Sequence, residues 1–220
     1  MINIEKQREL LITIGKKIQK NIVVYAIGGT AMMLNGLKEE TLDIDLVFAN
    51  EKERQIFRKI AFSLGYKEMD ARIIYSTRES SPILIKLEDS LLDLFLLNIL
   101  GVKFSDSMKE RATQTHEFGH NLLIKPADIH DIIIMKSATD RIKDEEDIIS
   151  IILNNKIKWE ILIHEAKNQV KLGNEVAIMN LGKLLEKLRD IHKINIPKET
   201  INNLWKLFNK QAKEKNKRAK

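Results

Sequence analysis

Residues Tyr25–Phe48 read YAIGGTAMMLNGLKEETLDIDLVF, and the fold turns on how this stretch is understood. An apolar, β-rich run, NIVVYAI from Asn21, ends at Gly28-Gly29; helix formers follow from Thr30 to Leu34, and TLDIDLVF then resumes an alternation of period two. The predicted order is strand, tight turn, helix, strand. Side chains two apart on a strand share a face, so Asp43 and Asp45 point the same way, while Leu42, Ile44 and Leu46 face the other side and are expected to pack on a helix. Two close carboxylates repel and raise each other's pKa unless a cation or hydrogen-bond donors lie between them. A hard divalent ion that takes oxygen ligands, Mg²⁺ or Mn²⁺, relieves that repulsion.

A third acid stands in a similar setting. Asp93 interrupts LLDLFLL, and burying a lone ionised carboxylate among leucines is expensive, so it too needs a partner. If its strand lies beside that of Asp43 and Asp45, three carboxylates converge, an arrangement that holds metal against a triphosphate. Gly28, Gly29 and Thr30 sit where strand becomes helix; glycine permits close backbone approach, and the bend can serve as an anion cradle. It is neither a dinucleotide fingerprint, since position 33 is methionine, nor a Walker loop, since no Gly-Lys-Ser/Thr follows.

Outward from this centre, Ile4–Lys20 and Glu51–Leu64 read as helices. The runs RIIYS, ILIKLE and LLDLFLL read as consecutive strands of one sheet. THEFGHNLLIK suggests a hairpin around Gly119, and PADIHDIIIMKSA a helix with Pro126 near its first turn. DEEDIISIIL, Trp159–Leu172, Val176–His192 and Lys198 to about Lys213 are helical by periodicity. The expected architecture is therefore mixed α/β, a sheet flanked by helices over residues 1–154, followed by a helical subdomain over 155–220 that carries a basic tail. In that subdomain Ile201, Leu204, Trp205 and Phe208 recur at helical spacing and are expected to pack.

Composition narrows the function. The net charge is +6, but Lys206–Lys220 holds seven Lys or Arg against one Glu, so Met1–Trp205 sums to zero and the body is electrically balanced. With no cysteine, disulfides and thiolate metal sites are excluded, which points to a reducing compartment, the cytoplasm. The N-terminus alternates charged with apolar residues, unlike a secretory leader, and the most apolar segment, Leu91–Val102, is too short to span a bilayer and contains Asp93. Five histidines form no HExxH motif, so zinc is not expected.

Taken together, the glycine pair, the D-x-D and the later Asp93 resemble the DNA polymerase beta-like nucleotidyltransferases, especially small prokaryotic members such as minimal nucleotidyltransferases and toxin components of toxin-antitoxin pairs. The stretch DIIIMKSATDRIKDEEDI is similar to the toxin-like branch and brings Lys136, Arg141, Lys143, Asp144 and Asp147 into the comparison. The resemblance covers roughly Ile22–Ile149, sparsely. It implies a nucleotidyltransferase fold and transfer of a nucleoside monophosphate from an NTP to an acceptor hydroxyl of a protein, an RNA end or a small molecule, with release of pyrophosphate. In that scheme Asp43, Asp45 and Asp93 are the metal ligands and catalytic acids, with Asp93 able to take the acceptor's proton. Gly28, Gly29, Thr30, Lys38 and Lys136 bind the nucleotide. Lys38 stands where relatives commonly carry arginine and is followed by Glu39 and Glu40; lysine keeps the charge but loses the bidentate fork. On spacing alone, Arg141, Lys143, Asp144 and Asp147 form a helix-start charge cluster with Lys143 pairing Asp147. The alternative is a weakly active or non-catalytic nucleotide-binding regulatory subunit of a toxin-antitoxin pair, with a cognate protein partner. A D-x-D glycosyltransferase fits less well, because D-x-D follows Gly-Gly so soon.

Overall fold

The alternation in DIDLVF is realised as a central strand whose odd residues carry the acids. The structure, a computed structural model, describes residues 2–75 and 80–218. In chain order the first part runs β1 (Ile2–Asn3), α1 (Ile4–Lys17), β2 (Ile22–Ala26), α2 (Gly28–Leu34), β3 (Glu40–Thr41), β4 (Asp43–Phe48), α3 (Glu51–Ser63), β5 (Lys67–Met69) and α4 (Arg72–Tyr75). It continues with β6 (Ile83–Leu87), β7 (Ser90–Phe95), β8 (Asn98–Ile99), β9 (Val102–Lys103), α5 (Asp106–Arg111), β10 (His116–Phe118) and β11 (Leu122–Pro126). The second part is helical: α6 (Ile129–Lys136), α7 (Ile142–Asn154), α8 (Trp159–Lys171), α9 (Ala177–Asp190) and α10 (Lys198–Arg218). The chain forms two compact units, Met1–Asp128 and Ile129–Lys220.

In the first unit a seven-stranded mixed sheet runs β10-β11-β2-β4-β7-β6-β5. The pairs β11–β2 and β4–β7 are parallel and the others antiparallel. β4 and β7 lie at its centre, and Ile44, Leu46, Val47, Phe48, Leu92, Leu94 and Phe95 are all buried. Helix starts are fixed locally. Asn3 accepts a bond from the Lys6 N–H and Asn50 one from the Glu53 N–H, each at 3.0 Å, capping α1 and α3. The edge-on contact of Phe48 with Phe57, centroids 5.3 Å apart, seats α3 on β4.

Three expectations are corrected. Leu42 is 53% exposed and precedes β4 instead of packing with Ile44 and Leu46. RIIYS is not a strand: Asp70 accepts the Arg72 N–H at 2.9 Å and Tyr75 bonds back to the Ala71 carbonyl at 2.8 Å, so residues 72–75 close a helical turn, while Ser76 lies outside the described residues. Pro126 ends β11, opposite Ala26, and the helix starts only at Ile129. ILIKLE and LLDLFLL do form neighbouring antiparallel strands, and the hairpin turns at Gly119.

In the second unit α6 is buried along most of its length, and α7 to α10 are amphipathic. Leu181, Leu185 and Leu188 of α9 and Ile201 and Leu204 of α10 are buried, and Trp205 meets Phe208 edge-on at 5.8 Å, as the spacing of the apolar residues implied. Residues 219–220 of the basic tail lie outside the described residues. No helix among the described residues is long and apolar enough to cross a membrane.

Candidate active site

Parallel pairing of β4 with β7 sets Asp45 directly opposite Asp93, with Asp43 opposite Leu91. Because side chains two apart share a face, this register brings both acids of D-x-D to the same side of the sheet as Asp93. One carboxylate oxygen from each of Asp43, Asp45 and Asp93 lies within 4.8 Å of the others. Asp93 is only 1% exposed, while Asp43 and Asp45 are half-buried, so the cluster opens outward from a buried floor. Like charges this close repel by on the order of a few kcal/mol per pair in a partly solvated setting. Three hard oxygen donors within reach of one point suit a divalent ion such as Mg²⁺.

The glycine bend is fitted to these acids. Gly28 has a φ of +54°, which L side chains rarely adopt, and a Cβ there would stand 2.6 Å from Asp45 Oδ2. A Cβ on Gly29 would meet Thr41 Oγ1 at 2.2 Å, and that hydroxyl lies 3.5 Å from Asp43 Oδ1. Gly28 therefore lets the first turn of α2 press against the strand that bears the acids, and Gly29 lets it press against Thr41 of β3 just before that strand.

Thr30 completes the clamp. Its fully buried hydroxyl accepts the Asp45 N–H at 2.9 Å and faces the Asp43 carbonyl at 3.4 Å, while the Ile27 N–H donates to the Asp45 carbonyl at 3.2 Å. The main chain of Asp45 is thus held at its N–H and at its C=O by the two ends of one short turn. The hydroxyl of Thr30, a residue expected to bind the nucleotide, is hydrogen-bonded to β4. Lys38 is half-buried in the loop between α2 and β3.

Tyr75, which sequence reasoning missed, also belongs here. Its hydroxyl donates to Asp93 Oδ2, and its ring lies edge-on to Phe95 at 6.2 Å. Burial, followed by the negative charges of Asp45 and Asp93, the hydrogen bond to Asp93 and the charge of Asp43, pushes the phenol far above its ordinary range, so it stays protonated. Nothing in the run RIIY announces this role.

Lys136 belongs to the second unit. There its ammonium, 8% exposed as a residue, lies 2.5 Å from Asp144 Oδ1 and 2.8 Å from Asp147 Oδ2. Burial lowers its pKa, but Asp144 and Asp147 together outweigh this and hold it above the ordinary lysine range. For Asp144, burial pushes upward, and Lys136, Arg141 and Thr139 together hold the carboxyl below its ordinary value. Arg141 Nε donates to Asp144 at 2.7 Å and Thr139 Oγ1 at 2.5 Å. At the start of α7, Asp144 and Asp147 form with Lys136 a buried network joining α6 to α7, with the exposed Arg141 at its edge, and Asp147, which spacing paired with Lys143, accepts from Lys136.

Residues 1–191 match the family described as nucleotidyltransferase of unknown function (DUF6036), and the chain belongs to that family. Seven chains of solved structures are similar to it. One is the crystal structure of ANT(2")-Ia in complex with adenylyl-2"-tobramycin, at 17% identity and a TM-score of 0.46 over 82% of this chain and 98% of that one. No curated protein matches the sequence.

Proposed function

We propose that the chain transfers a nucleoside monophosphate from an NTP to an acceptor hydroxyl, releasing pyrophosphate, with a divalent ion, Mg²⁺ or Mn²⁺, at Asp43, Asp45 and Asp93. What supports this reading is the convergence of three carboxylates from two adjacent strands beside the glycine bend, in a member of a nucleotidyltransferase family. When bound, the ion supplies the positive charge that lets a triphosphate lie against carboxylates.

The chain's own residues do the rest by positioning and electrostatics. Asp43 and Asp45 hold the ion, their spacing fixed by the Thr30 hydroxyl on the intervening main chain. At Gly28 and Gly29 the first amides of α2 have no intrahelical acceptor and are offered to the phosphate oxygens. Lys38, close before D-x-D in sequence, adds a positive charge for the same phosphates. Asp93, at the buried floor, takes the proton of the acceptor hydroxyl as that oxygen attacks the α-phosphorus.

The purified protein is incubated with each labelled NTP, Mg²⁺ or Mn²⁺, and three acceptor pools: cell protein, RNA and small molecules. Transfer of label to one pool, lost in Asp43→Ala, is the expected result and identifies the acceptor class. Absence of both NTP binding and transfer overturns the proposal and favours the regulatory-subunit reading.

A further inference from the structure

We propose that Tyr75 is an internal acceptor, its phenolic oxygen taking the nucleoside monophosphate so that the enzyme modifies itself in cis. This rests on the nucleotidyl-transfer reading above. A transferring enzyme of this kind must present a hydroxyl to its base within hydrogen-bond reach. In this chain one hydroxyl already stands there: Tyr75 donates to Asp93 Oδ2, and Asp93 lies opposite Asp45 across the β4–β7 pair.

The surroundings of Tyr75 argue that the hydroxyl is placed and not incidental. Its helical turn, α4, has no buried residue; Ile73 is 71% and Ile74 48% exposed, so apolar burial does not fix the segment. Tyr75 is the residue of this turn that reaches the acids, with its ring edge against Phe95. A phenylalanine would make the same ring contact. What tyrosine adds is an O–H delivered to a carboxylate of the proposed centre, the geometry in which an intramolecular nucleophile gains most over one arriving from solution.

The step balances. Tyr75 Oη attacks the α-phosphorus of the NTP, the Oη–P bond forms, and the bond from that phosphorus to the pyrophosphate oxygen breaks. Pyrophosphate leaves with the electron pair, and the phenolic proton passes to Asp93 Oδ2. The product has no proton left to donate to Asp93, and it places a phosphodiester charge beside three carboxylates. The contact then opens, and each chain takes one nucleotide only.

The test needs no acceptor. Wild type, Tyr75→Phe and Asp43→Ala are incubated with labelled NTP and Mg²⁺, and the peptides are mapped by mass. The chain as isolated from expressing cells is weighed intact before any incubation. Binding of a non-hydrolysable NTP to wild type is measured in parallel. Expected are label on Tyr75 that saturates at one nucleotide per chain, label in Tyr75→Phe no higher than in Asp43→Ala, and a modified fraction in the isolated wild type that Tyr75→Phe lacks. Label elsewhere in wild type, or undiminished label in Tyr75→Phe, overturns the proposal. NTP binding with transfer to an added acceptor but none to Tyr75 overturns it while leaving the proposed function standing; no NTP binding removes both. Because the peptide map is read on wild type, a misfolded variant does not shield the proposal.

Discussion

Substituting Gly28 by alanine tests whether the bend exists for the sake of the acids. Two glycines in this region have left-handed backbones, Gly28 at +54° and Gly36 at +71°, and they differ in what surrounds them. A Cβ on Gly36 meets nothing within 4 Å, whereas a Cβ on Gly28 stands 2.6 Å from Asp45 Oδ2, where ordinary contact begins at 3.4 Å. Both alanines bear the left-handed penalty of about 1–2 kcal/mol, partly offset by the lower entropy of their unfolded chains. Only Gly28→Ala must also drive the Asp45 carboxylate back by just under an ångström, and the main chain of Asp45 cannot follow because Thr30 and Ile27 hold it. Ligand misplacement on this scale predicts Mn²⁺ affinity about 10–100-fold weaker and transfer about 10²-fold slower for Gly28→Ala, with both near wild type for Gly36→Ala. Calorimetric titration of Mn²⁺ without nucleotide, label transfer and thermal unfolding read the three quantities. If the two variants lose the same stability and neither changes Mn²⁺ uptake, Gly28 is only a turn residue and the argument fails.

Thr30→Val keeps the shape but strands the buried Asp45 N–H, and is expected to lower stability by about 1–3 kcal/mol while Thr30→Ser stays near wild type in thermal unfolding. Asp93→Asn removes the proposed base and should slow transfer by about 10²–10⁴-fold; a loss of under tenfold would assign the proton to another group. Lys136→Met leaves Asp144 and Asp147 buried without their shared ammonium and should destabilise the chain by about 3–5 kcal/mol, read by denaturant unfolding. The same network sets a pH window. The lowered pKa of Asp144 gives stability that is full above the unfolded value of about 3.9 and lost as pH falls below it, and the raised pKa of Lys136 gives stability that is full below about 10.4 and lost as pH rises beyond. Melting at stepped pH should therefore show both losses in wild type, and Lys136→Met should lack the alkaline one.

The centre of the fold was legible because its signals are local. Period-two alternation marked β4, the glycine pair marked the passage from β2 to α2, and a lone acid among leucines marked Asp93 as a residue with a partner. What no local signal carried was register. Asp45 meets Asp93 because β7 lies parallel to β4 while its sequence neighbour β6 is antiparallel on its other side, and strand order of that kind is set by packing of the whole sheet. Tyr75 was hidden for a different reason. RIIY has strong β propensity, and the Asp70 carboxylate overrides it by accepting the Arg72 amide. Lys136 stands on an apolar helix, and the resemblance assigns it to the nucleotide. Its partners come from the next helix, beyond the reach of i,i+4 arithmetic.

A glycine pair before D-x-D invites one explanation, room for phosphate, yet the contacts of Gly28 and Thr30 run toward the strand that carries the acids, and that of Gly29 runs to Thr41 just before it. The two demands coincide in space, and that coincidence has a physical consequence. The turn that is proposed to receive the triphosphate also fixes the N–H and C=O of Asp45, so any displacement of α2 by a bound phosphate would pass to the carboxylates through two hydrogen bonds on the Asp45 main chain, one from the Ile27 N–H and one to the Thr30 hydroxyl. A soft hinge at that point would let nucleotide bind without aligning the acids. A rigid one, built from glycines too crowded to accept a side chain and a threonine with no exposed surface, makes phosphate position and carboxylate position a single variable.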